Sequence, residues 1–234
     1  MNWLQWVAGV GGFDLAARRK PRDPLAQLAA ILKFHAIDLV IDVGANVGQY
    51  GSMLRRFGYP GRILSFEPLP MAHAQLSRAA SGDDRWDVAP PMALGDEGGM
   101  IVIEHSSESD MSSILPQSRL LADISPSSMV LERLDVVVNR LDSIDLPAFS
   151  RGHLKIDVQG FEPQVLDGAR GVIDRMKSVQ LEMALVPVYE GEQAWRSAIA
   201  RMESLGFELH LIIPGYFERK LARQLQVDGV FVRP

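Results

Sequence analysis

The stretch from Asp38 to Gly48 reads DLVIDVGANVG, an apolar run that ends in a glycine-rich turn. A nearly continuous apolar run of this kind is typical of a strand that is buried on both faces of a parallel sheet. Glycine lets the backbone turn tightly and lets a ligand approach without a Cβ in the way. Taken alone, the turn is most simply a strand–helix connection, so its function depends on the residues around it.

Strands and helices alternate on both sides of this stretch. Apolar residues at helical spacing predict helices over 24–36, 48–57, 70–80, 162–176 and 192–205. Short apolar runs predict strands over 62–66, 86–89, 153–157, 179–185, 207–213 and 227–232. Repeated strand–helix units predict an α/β protein whose parallel sheet is covered by helices on both faces. The last two strands leave little room for a crossover helix, so they either pair antiparallel at the sheet edge or neighbour each other within the sheet.

The alternation is interrupted in the middle of the chain. Residues 100–104 and 134–138 alternate as antiparallel ribbons do, and a Ser-rich stretch with little periodicity, 106–128, lies between them. Long irregular segments in compact domains are usually lids or binding loops. We therefore expect an N-terminal helical segment, 1–35, and one domain, 36–234, with the ribbon and the Ser-rich loop inserted at about 100–140.

The composition narrows the class of protein. There are 24 Lys and Arg against 29 Asp and Glu, a net charge of −5, which argues against a nucleic-acid binder. Cys is absent, which excludes disulfides, thiolate metal sites and cysteine nucleophiles and favours a reducing, cytoplasmic location. No segment is long enough to span a membrane. The apolar stretch 3–17 and the basic residues 18–22 after it predict a helix lying on the domain, with weak membrane-surface association as the alternative.

Gly or carboxylate residues recur where the predicted strands end. In an open parallel sheet, ligands bind beyond the carboxyl ends of the strands, where Glu67, Asp157 and Glu182 are expected. Glu67 is placed to accept hydrogen bonds from ribose hydroxyls. A dinucleotide loop has a second glycine where this chain has Asn46, so the turn is a poor cradle for pyrophosphate. It better suits a ligand with an amino-acid portion that binds the backbone and Asp42.

Three stretches carry a family resemblance: IDVGANVGQY at 41–50, SFEP at 65–68 and KIDVQGFE at 155–162. Together with 93–96, 112–116 and 140–143, they resemble the FkbM-type S-adenosylmethionine-dependent methyltransferases. The resemblance implies a class I methyltransferase, Rossmann-like doubly wound sheet, mostly parallel with an antiparallel C-terminal strand. It also implies O-methylation of a hydroxyl on a sugar, glycolipid or polyketide-type natural product.

The resemblance also implies roles for individual residues toward S-adenosyl-L-methionine. Those implied to contact the methionine portion are Asp42, Gly44, Asn46 and Gly48. Glu67 is implied to hold the ribose, and the residues implied to border the adenine are Met92, Ala93 and Asp96. Asp157 is implied to face the sulfonium methyl. Members often have an acidic residue where this chain has Gln159, a departure that argues against a metal-dependent site.

The chemistry of an alcohol acceptor requires a base. A sulfonium methyl is already activated, so the enzyme mainly positions the acceptor oxygen and removes its proton. Asp157 and Glu182 are the candidates, with cofactor orientation and a hydrogen bond to substrate as their respective alternatives. The other possible bases are His35, His105 and His153. The residues predicted to line the acceptor pocket are Ser112, Ser113, His105 and Tyr189.

Two other functions remain open for the sequence. A nicotinamide-dependent oxidoreductase is compatible with the fold and with Glu67, but Asn46 and Gln49 and the lack of a Tyr-x-x-x-Lys pair count against it. A non-catalytic relative that binds a ligand is the second, and it has less reason to retain both Asp157 and Glu182. The expected partner is a small-molecule or glycan acceptor, and the oligomeric state is open.

Overall fold

The protein is represented by a computed structural model that describes residues 23–106, 112–125 and 130–234. The apolar and basic stretches predicted at 3–22 lie outside these ranges. The helix predicted from residue 24 forms, and the Asp23 carboxylate caps it by accepting the Leu25 N–H at 3.0 Å. Among the described helices, none has the length and apolar character needed to cross a membrane.

The described helices are α1 (Pro24–Phe34), α2 (Gln49–Arg56), α3 (Pro70–Ala80), α4 (Arg119–Ile124), α5 (Glu162–Asp167) and α6 (Trp195–Ser204). The strands of the first half are β1 (Leu39–Val43), β2 (Arg62–Phe66), β3 (Trp86–Val88), β4 (Ala93–Leu94), β5 (Gly99–Ser106) and β6 (Val130–Asn139). Those of the second half are β7 (Gly152–Ile156), β8 (Met176–Ala184), β9 (Glu208–Pro214), β10 (Phe217–Glu218), β11 (Arg223–Gln224) and β12 (Gln226–Val232).

A seven-stranded sheet in the order β3-β2-β1-β7-β8-β12-β9 forms the centre of the molecule. Neighbours from β3 to β8 pair in parallel, whereas β12 pairs antiparallel with both β8 and β9. This confirms the predicted α/β class and the antiparallel C-terminal strand. The last two strands are neighbours and antiparallel, with β12 inserted between β8 and β9.

The insertion in the middle of the chain is a second, smaller sheet in the order β4-β6-β5. Strands β5 and β6 pair antiparallel from Gly99 opposite Val138 to Ser106 opposite Val130, as the predicted ribbon requires. Its buried face, which includes Ile103 and Val136, packs against Leu69 and Ala72 at the start of α3. The insertion therefore lies beside the carboxyl ends of β1 and β2.

Two predicted segments differ from the observed structure. The helix predicted over 162–176 ends at Asp167, with Gly168 as its C-cap, and a Cβ at Gly168 would overlap the Gly95 carbonyl. The Ser-rich stretch is not wholly irregular, since α4 lies within it. Ser118 caps α4 by accepting the Leu121 N–H at 3.3 Å. Serines that read as turn formers in the sequence serve here in part as a helix cap.

Both faces of the central sheet are covered by apolar side chains. On one face, Ile41 and Ile156 pack with residues of α5 and β8, and on the other, Val40 and Ile63 pack with residues of α1 and α2. All five residues of β1 are buried, including the carboxylate of Asp42, which has no solvent exposure. A charged group in the middle of the sheet needs a partner, and that partner belongs to the candidate site.

Candidate active site

A cavity of about 400 Å³ opens at the edge of the sheet where the parallel strands end. Such a volume is within the range of small-ligand sites. Most of the residues predicted to bind cofactor or acceptor lie in its wall: Gly44, Asn46, Glu67, Met92, Ala93, Ser112, Ser113, Asp157 and Glu182. The wall thus combines the strand ends with both the ribbon insertion and the Ser-rich loop.

The glycine turn after β1 is held in an unusual backbone conformation. Gly44 has φ 75°, Asn46 has φ 46° and Gly48 has φ 87°. The N–H groups of Gly44 and Ala45 both donate to the Phe66 carbonyl, at 3.1 and 3.0 Å. A Cβ at Gly44 would overlap the backbone carbonyl of Asp157. Glycine at this position therefore brings the first turn into contact with the end of β7.

We expect Gly44→Ala to lower the free energy of unfolding far more than Gly58→Ala. Gly58 has φ 79° but nothing within 4 Å of the Cβ position, so its substitution carries only the cost of the left-handed conformation, roughly 1–2 kcal/mol. Gly44→Ala carries that cost and a backbone overlap. Urea denaturation of both variants measures the difference, and equal losses would show that the close approach to Asp157 is unimportant.

Glu67 closes the turn from the end of β2. One carboxylate oxygen accepts the Asn46 N–H and the other accepts the Leu69 N–H, both at 2.9 Å. Burial raises the pKa of Glu67, while these two backbone bonds oppose the increase. An ionised carboxylate offers about four lone-pair positions, so each oxygen retains capacity for a bond from a ligand hydroxyl.

Lys155 is the cation that balances the buried carboxylates. Its ammonium lies 3.3 Å from one oxygen of Asp42, 3.3 Å from one oxygen of Asp157, and donates to the Gly44 carbonyl at 3.1 Å. Burial lowers the pKa of Lys155, but the charges of Asp157 and Asp42 outweigh it and hold the pKa above its ordinary value. One side chain therefore joins the glycine turn to Asp157.

Asp157 and Glu182 are bridged by the side-chain amide of Gln159. Its Nε2 donates to Asp157 Oδ1 and to Glu182 Oε2, both at 2.9 Å, and its Oε1 accepts the Tyr189 hydroxyl at 3.0 Å. Gln159 has φ 55°, and its carbonyl accepts the Ser113 hydroxyl at 2.6 Å. One amide group therefore joins Asp157, Glu182 and Tyr189.

Further carboxyl groups lie behind this pair. Burial, followed by the charges of Asp157 and Glu162, raises the pKa of Glu182 well above its ordinary value. Burial raises the pKa of Glu162 to about 7, although its carboxylate accepts the Val158 and Gly160 N–H groups. Burial also raises the pKa of Asp228 to about 7. Glu182 thus lies among buried carboxyl groups, whereas Asp157 is paired with the Lys155 ammonium and its side chain is 34% exposed.

Several residues singled out from the sequence lie outside the cavity wall. Asp42 is buried below the turn, Gly48 caps α2, Asp96 is exposed, and Tyr189 is buried behind Gln159. His105 is not in the wall, and its Nδ1 lies 3.3 Å from the hydroxyl of Ser112, which is. His153 is buried between Tyr50 and Ser178, and burial lowers its pKa to about 3. His35 lies at the end of α1, away from the wall.

Two polar residues of the wall, Tyr216 and Gln226, were not predicted from the sequence. Tyr216 and Gln226 flank the β10–β11 hairpin, and Gln226 begins the antiparallel strand β12. Within the central sheet, site residues were predicted only at the carboxyl ends of strands. Because β12 is antiparallel, its amino end lies at the same edge of the sheet. The sequence did contain a signal that could have found Gln226, because the last strand was expected to be antiparallel.

The strand order and the cavity at the edge of the sheet define the class I methyltransferase fold. An O-methyltransferase from Bacillus cereus in complex with SAH has a similar structure, with TM-score 0.51, 10% identity, and coverage of 98% of this chain and 88% of that chain. The methyltransferase domain of bacterial CtHen1 matches with TM-score 0.48 and 12% identity over 89% of this chain and 96% of that chain. At these identities the likeness concerns the fold alone.

The sequence model of the FkbM methyltransferase domain matches residues 42–209, which include the glycine turn, Glu67, Asp157 and Glu182. The chain therefore belongs to the FkbM methyltransferase family, and the resemblance seen in the sequence is confirmed. No curated protein sequence gives a significant match.

Proposed function

We propose that the protein is an S-adenosyl-L-methionine-dependent O-methyltransferase that acts on a hydroxyl of a sugar, glycolipid or related small molecule. The observation that carries the proposal is that Glu67, the glycine turn, Asp157 and Glu182 line one and the same cavity. We further propose residues 36–234 as the methyltransferase domain and residues 1–35 as an N-terminal helical segment, whose described helix α1 packs on the central sheet. The absence of Cys supports a reducing compartment such as the cytoplasm.

The residues of the cavity fit this cofactor. Glu67 retains acceptor positions for ribose hydroxyls, and Met92 and Ala93 offer a mainly apolar wall for a base. Asn46 departs from the glycine of a pyrophosphate cradle, as expected for a cofactor that has no phosphate. When bound, the cofactor supplies a methyl group already activated by a sulfonium leaving group.

The chain's own residues then have two tasks. Asp157 accepts the proton of the acceptor hydroxyl while the new O–C bond forms and the C–S bond breaks, so that charge is conserved. Lys155 and Gln159 hold the Asp157 carboxylate from two sides, which fixes its direction. The carboxyl group of Glu182, in the same cavity wall, is placed to form a hydrogen bond with the acceptor.

We expect Glu67→Ala to weaken the binding of S-adenosylhomocysteine by about 2 kcal/mol, roughly 30-fold, because an acceptor of charged hydrogen bonds is lost. Isothermal titration calorimetry with S-adenosylhomocysteine, and in parallel with NAD and NADP, measures this and tests the oxidoreductase alternative. Glu104→Ala is the control, since Glu104 pairs with Arg133 on the ribbon and is not in the cavity wall.

Unchanged affinity in Glu67→Ala would contradict the assignment of Glu67. Binding of a nicotinamide cofactor without S-adenosylhomocysteine would contradict the proposed function. Because Glu67 also accepts two backbone N–H groups, thermal unfolding of the variant is measured alongside. A loss of affinity in a variant that unfolds at the wild-type temperature supports a direct role in binding.

A further inference from the structure

A short hairpin, residues 215–225, begins and ends at the wall of the cavity. Its strands β10 and β11 pair antiparallel, and the residues at its two ends, Tyr216 and Gln226, lie in the cavity wall. The Leu225 N–H donates to the Tyr216 carbonyl at 2.8 Å, which closes the base of the hairpin. Five residues separate Tyr216 from Leu221 in the turn, so the tip lies within about 18 Å of the wall.

The tip of this hairpin is held in place. The Ala222 N–H donates to the Arg219 carbonyl at 3.2 Å, which closes the turn. The Lys220 ammonium donates to the Ile124 carbonyl at the end of α4, at 3.1 Å. At the base, Leu225 has no solvent exposure and belongs to the same apolar cluster as residues of α4. The hairpin therefore presents a defined surface beside the cavity.

The outer surface of the hairpin is cationic. The hairpin contains Arg219, Lys220 and Arg223 against one acidic residue, Glu218, in a chain whose net charge is −5. Glu218 is only 7% exposed, because its carboxylate accepts the Tyr216 hydroxyl at 2.6 Å and the Lys220 N–H at 2.7 Å. Arg219 and Arg223 are exposed, and neither forms an ion pair with a carboxylate of the described residues. We call residues 215–225 the basic hairpin.

Two large apolar side chains lie among these cations. Phe217 is 50% exposed and Leu221 is 46% exposed, and Leu221 lies in the turn between Arg219 and Arg223. A single exposed apolar side chain is common and indicates nothing. Apolar side chains flanked by cations are typical of a surface that binds at the interface of an anionic lipid bilayer. There the cations contact lipid phosphates and the apolar groups leave water for the acyl chains.

Two other partners fit this surface less well. Binding of a nucleic acid requires a longer run of phosphate contacts than Arg219 and Arg223 provide, and Leu221 has no π face on which a base stacks. A second copy of the chain, seated hairpin to hairpin, would bring the same cations together. An anionic bilayer accommodates both the cations and the apolar side chains.

We propose that the basic hairpin binds the surface of an anionic lipid bilayer, with Arg219 and Arg223 at lipid phosphates and Phe217 and Leu221 among the upper acyl chains. The contact holds the cavity beside the membrane. It goes beyond the proposed methyl transfer and does not depend on it. Because only a few cations and two half-exposed side chains take part, the binding is weak and reversible.

The test for the cations is sedimentation of the full chain with vesicles of phosphatidylcholine alone or mixed with an equal amount of phosphatidylglycerol. The variant carries Arg219→Gln and Arg223→Gln. The control carries Lys33→Gln and Arg78→Gln, which remove the same charge from exposed positions of α1 and α3. These helices lead into β1 and β3, so their last turns lie at the opposite edge of the sheet from the cavity.

We expect the wild type to bind the anionic vesicles at least tenfold more tightly than the neutral ones, and to be released at a salt concentration of about 0.5 M. The arginine variant should bind about 25-fold more weakly, roughly fivefold for each cation lost, whereas the control stays within about twofold of the wild type.

The test for the apolar side chains compares Leu221→Ser with Phe34→Ser. Phe34 is 82% exposed at the end of α1, away from the hairpin, so its substitution is the control. We expect Leu221→Ser to bind the anionic vesicles about fivefold more weakly and Phe34→Ser to bind them as the wild type does. All four substituted sets lie at exposed positions, and thermal unfolding checks that each variant is folded.

Absence of binding, equal binding of neutral and anionic vesicles, or equal affinity of the arginine variant and its control would each overturn the inference. Binding of transfer RNA that the arginine variant loses, without binding of vesicles, would overturn it in favour of a nucleic-acid partner. The affinity of the same variants for S-adenosylhomocysteine is expected to stay at the wild-type value. A wild type that binds vesicles but not S-adenosylhomocysteine would overturn the proposed function and leave the membrane contact supported.

Discussion

Asp157→Asn is expected to lower the rate of methyl transfer by about 10²- to 10⁴-fold, the contribution of a general base. An amide has no free carboxylate oxygen to accept the acceptor's proton, although it fills nearly the same space. Asp157 is 34% exposed at the cavity, and its carboxylate is held by Lys155 at 3.3 Å and by Gln159 at 2.9 Å. The measurement is transfer of a labelled methyl group from S-adenosyl-L-methionine to whichever sugar or related small-molecule acceptor is turned over fastest.

Glu182→Gln is the matched comparison, and we expect a loss of less than about tenfold. Burial and the charge of Asp157 raise the pKa of Glu182, which favours the neutral carboxyl group over the carboxylate. A glutamine amide reproduces the shape of that neutral group and retains a donor. The two substitutions remove equivalent atoms from adjacent strands, and so they separate a base from a hydrogen-bond donor.

The opposite pattern, with Glu182→Gln inactive and Asp157→Asn near normal, would assign the proton transfer to Glu182. Near-normal rates in both would remove both residues from the chemistry. The affinity of both variants for S-adenosylhomocysteine is measured by calorimetry. If Asp157 only orients the cofactor, Asp157→Asn should lose affinity for S-adenosylhomocysteine. Retained affinity with a lost rate identifies Asp157 as the base.

The sequence predicted the fold well because the central strands are buried on both faces. The five buried residues of β1 produce an apolar run that is typical of a strand in a parallel sheet. The repeated strand–helix units on either side of it indicate that the neighbouring strands are parallel. The prediction extended α5 past Gly168, although a glycine after a helical pattern is a signal for the end of a helix; the close packing of Gly168 on Gly95, which is distant in the sequence, was not predictable. Similarly, α4 is short and its cap, Ser118, resembles the turn-forming serines around it.

The sequence predicted those site residues whose position depends only on the end of one strand. Glu67 and Asp157 lie in the cavity wall as expected, because both follow buried parallel strands. Lys155 was present in the motif, but its role depends on the register that places it beside Asp42 on the neighbouring strand. The position of Gln226 in the cavity wall likewise depends on the antiparallel direction of β12. The sequence predicted the strands, but it did not predict which residues lie side by side on neighbouring strands.

The largest effect on stability is expected for Lys155→Met, which should lower the free energy of unfolding by about 3–5 kcal/mol, the cost of leaving a buried charge unpaired. The Lys155 side chain is 6% exposed and pairs with Asp42, which is fully buried. Methionine fills a similar volume but supplies no charge. Urea denaturation at neutral pH measures the loss, and Lys33→Met, at an exposed position of α1, is the control.

Two further measurements distinguish a lost ion pair from lost packing. Burial raises the pKa of Asp42 and Lys155 opposes the increase, so without Lys155 the folded chain holds the Asp42 proton more tightly than the unfolded chain does. That contribution to stability is present at low pH and is lost as pH rises, so Lys155→Met should be closer to wild-type stability at pH of about 5 than at pH of about 8. Adding Asp42→Asn removes the unpaired charge and should restore part of the loss. A double variant no more stable than Lys155→Met, with a deficit independent of pH, would show that Lys155 contributes through packing and not through the charge that joins the glycine turn to Asp157.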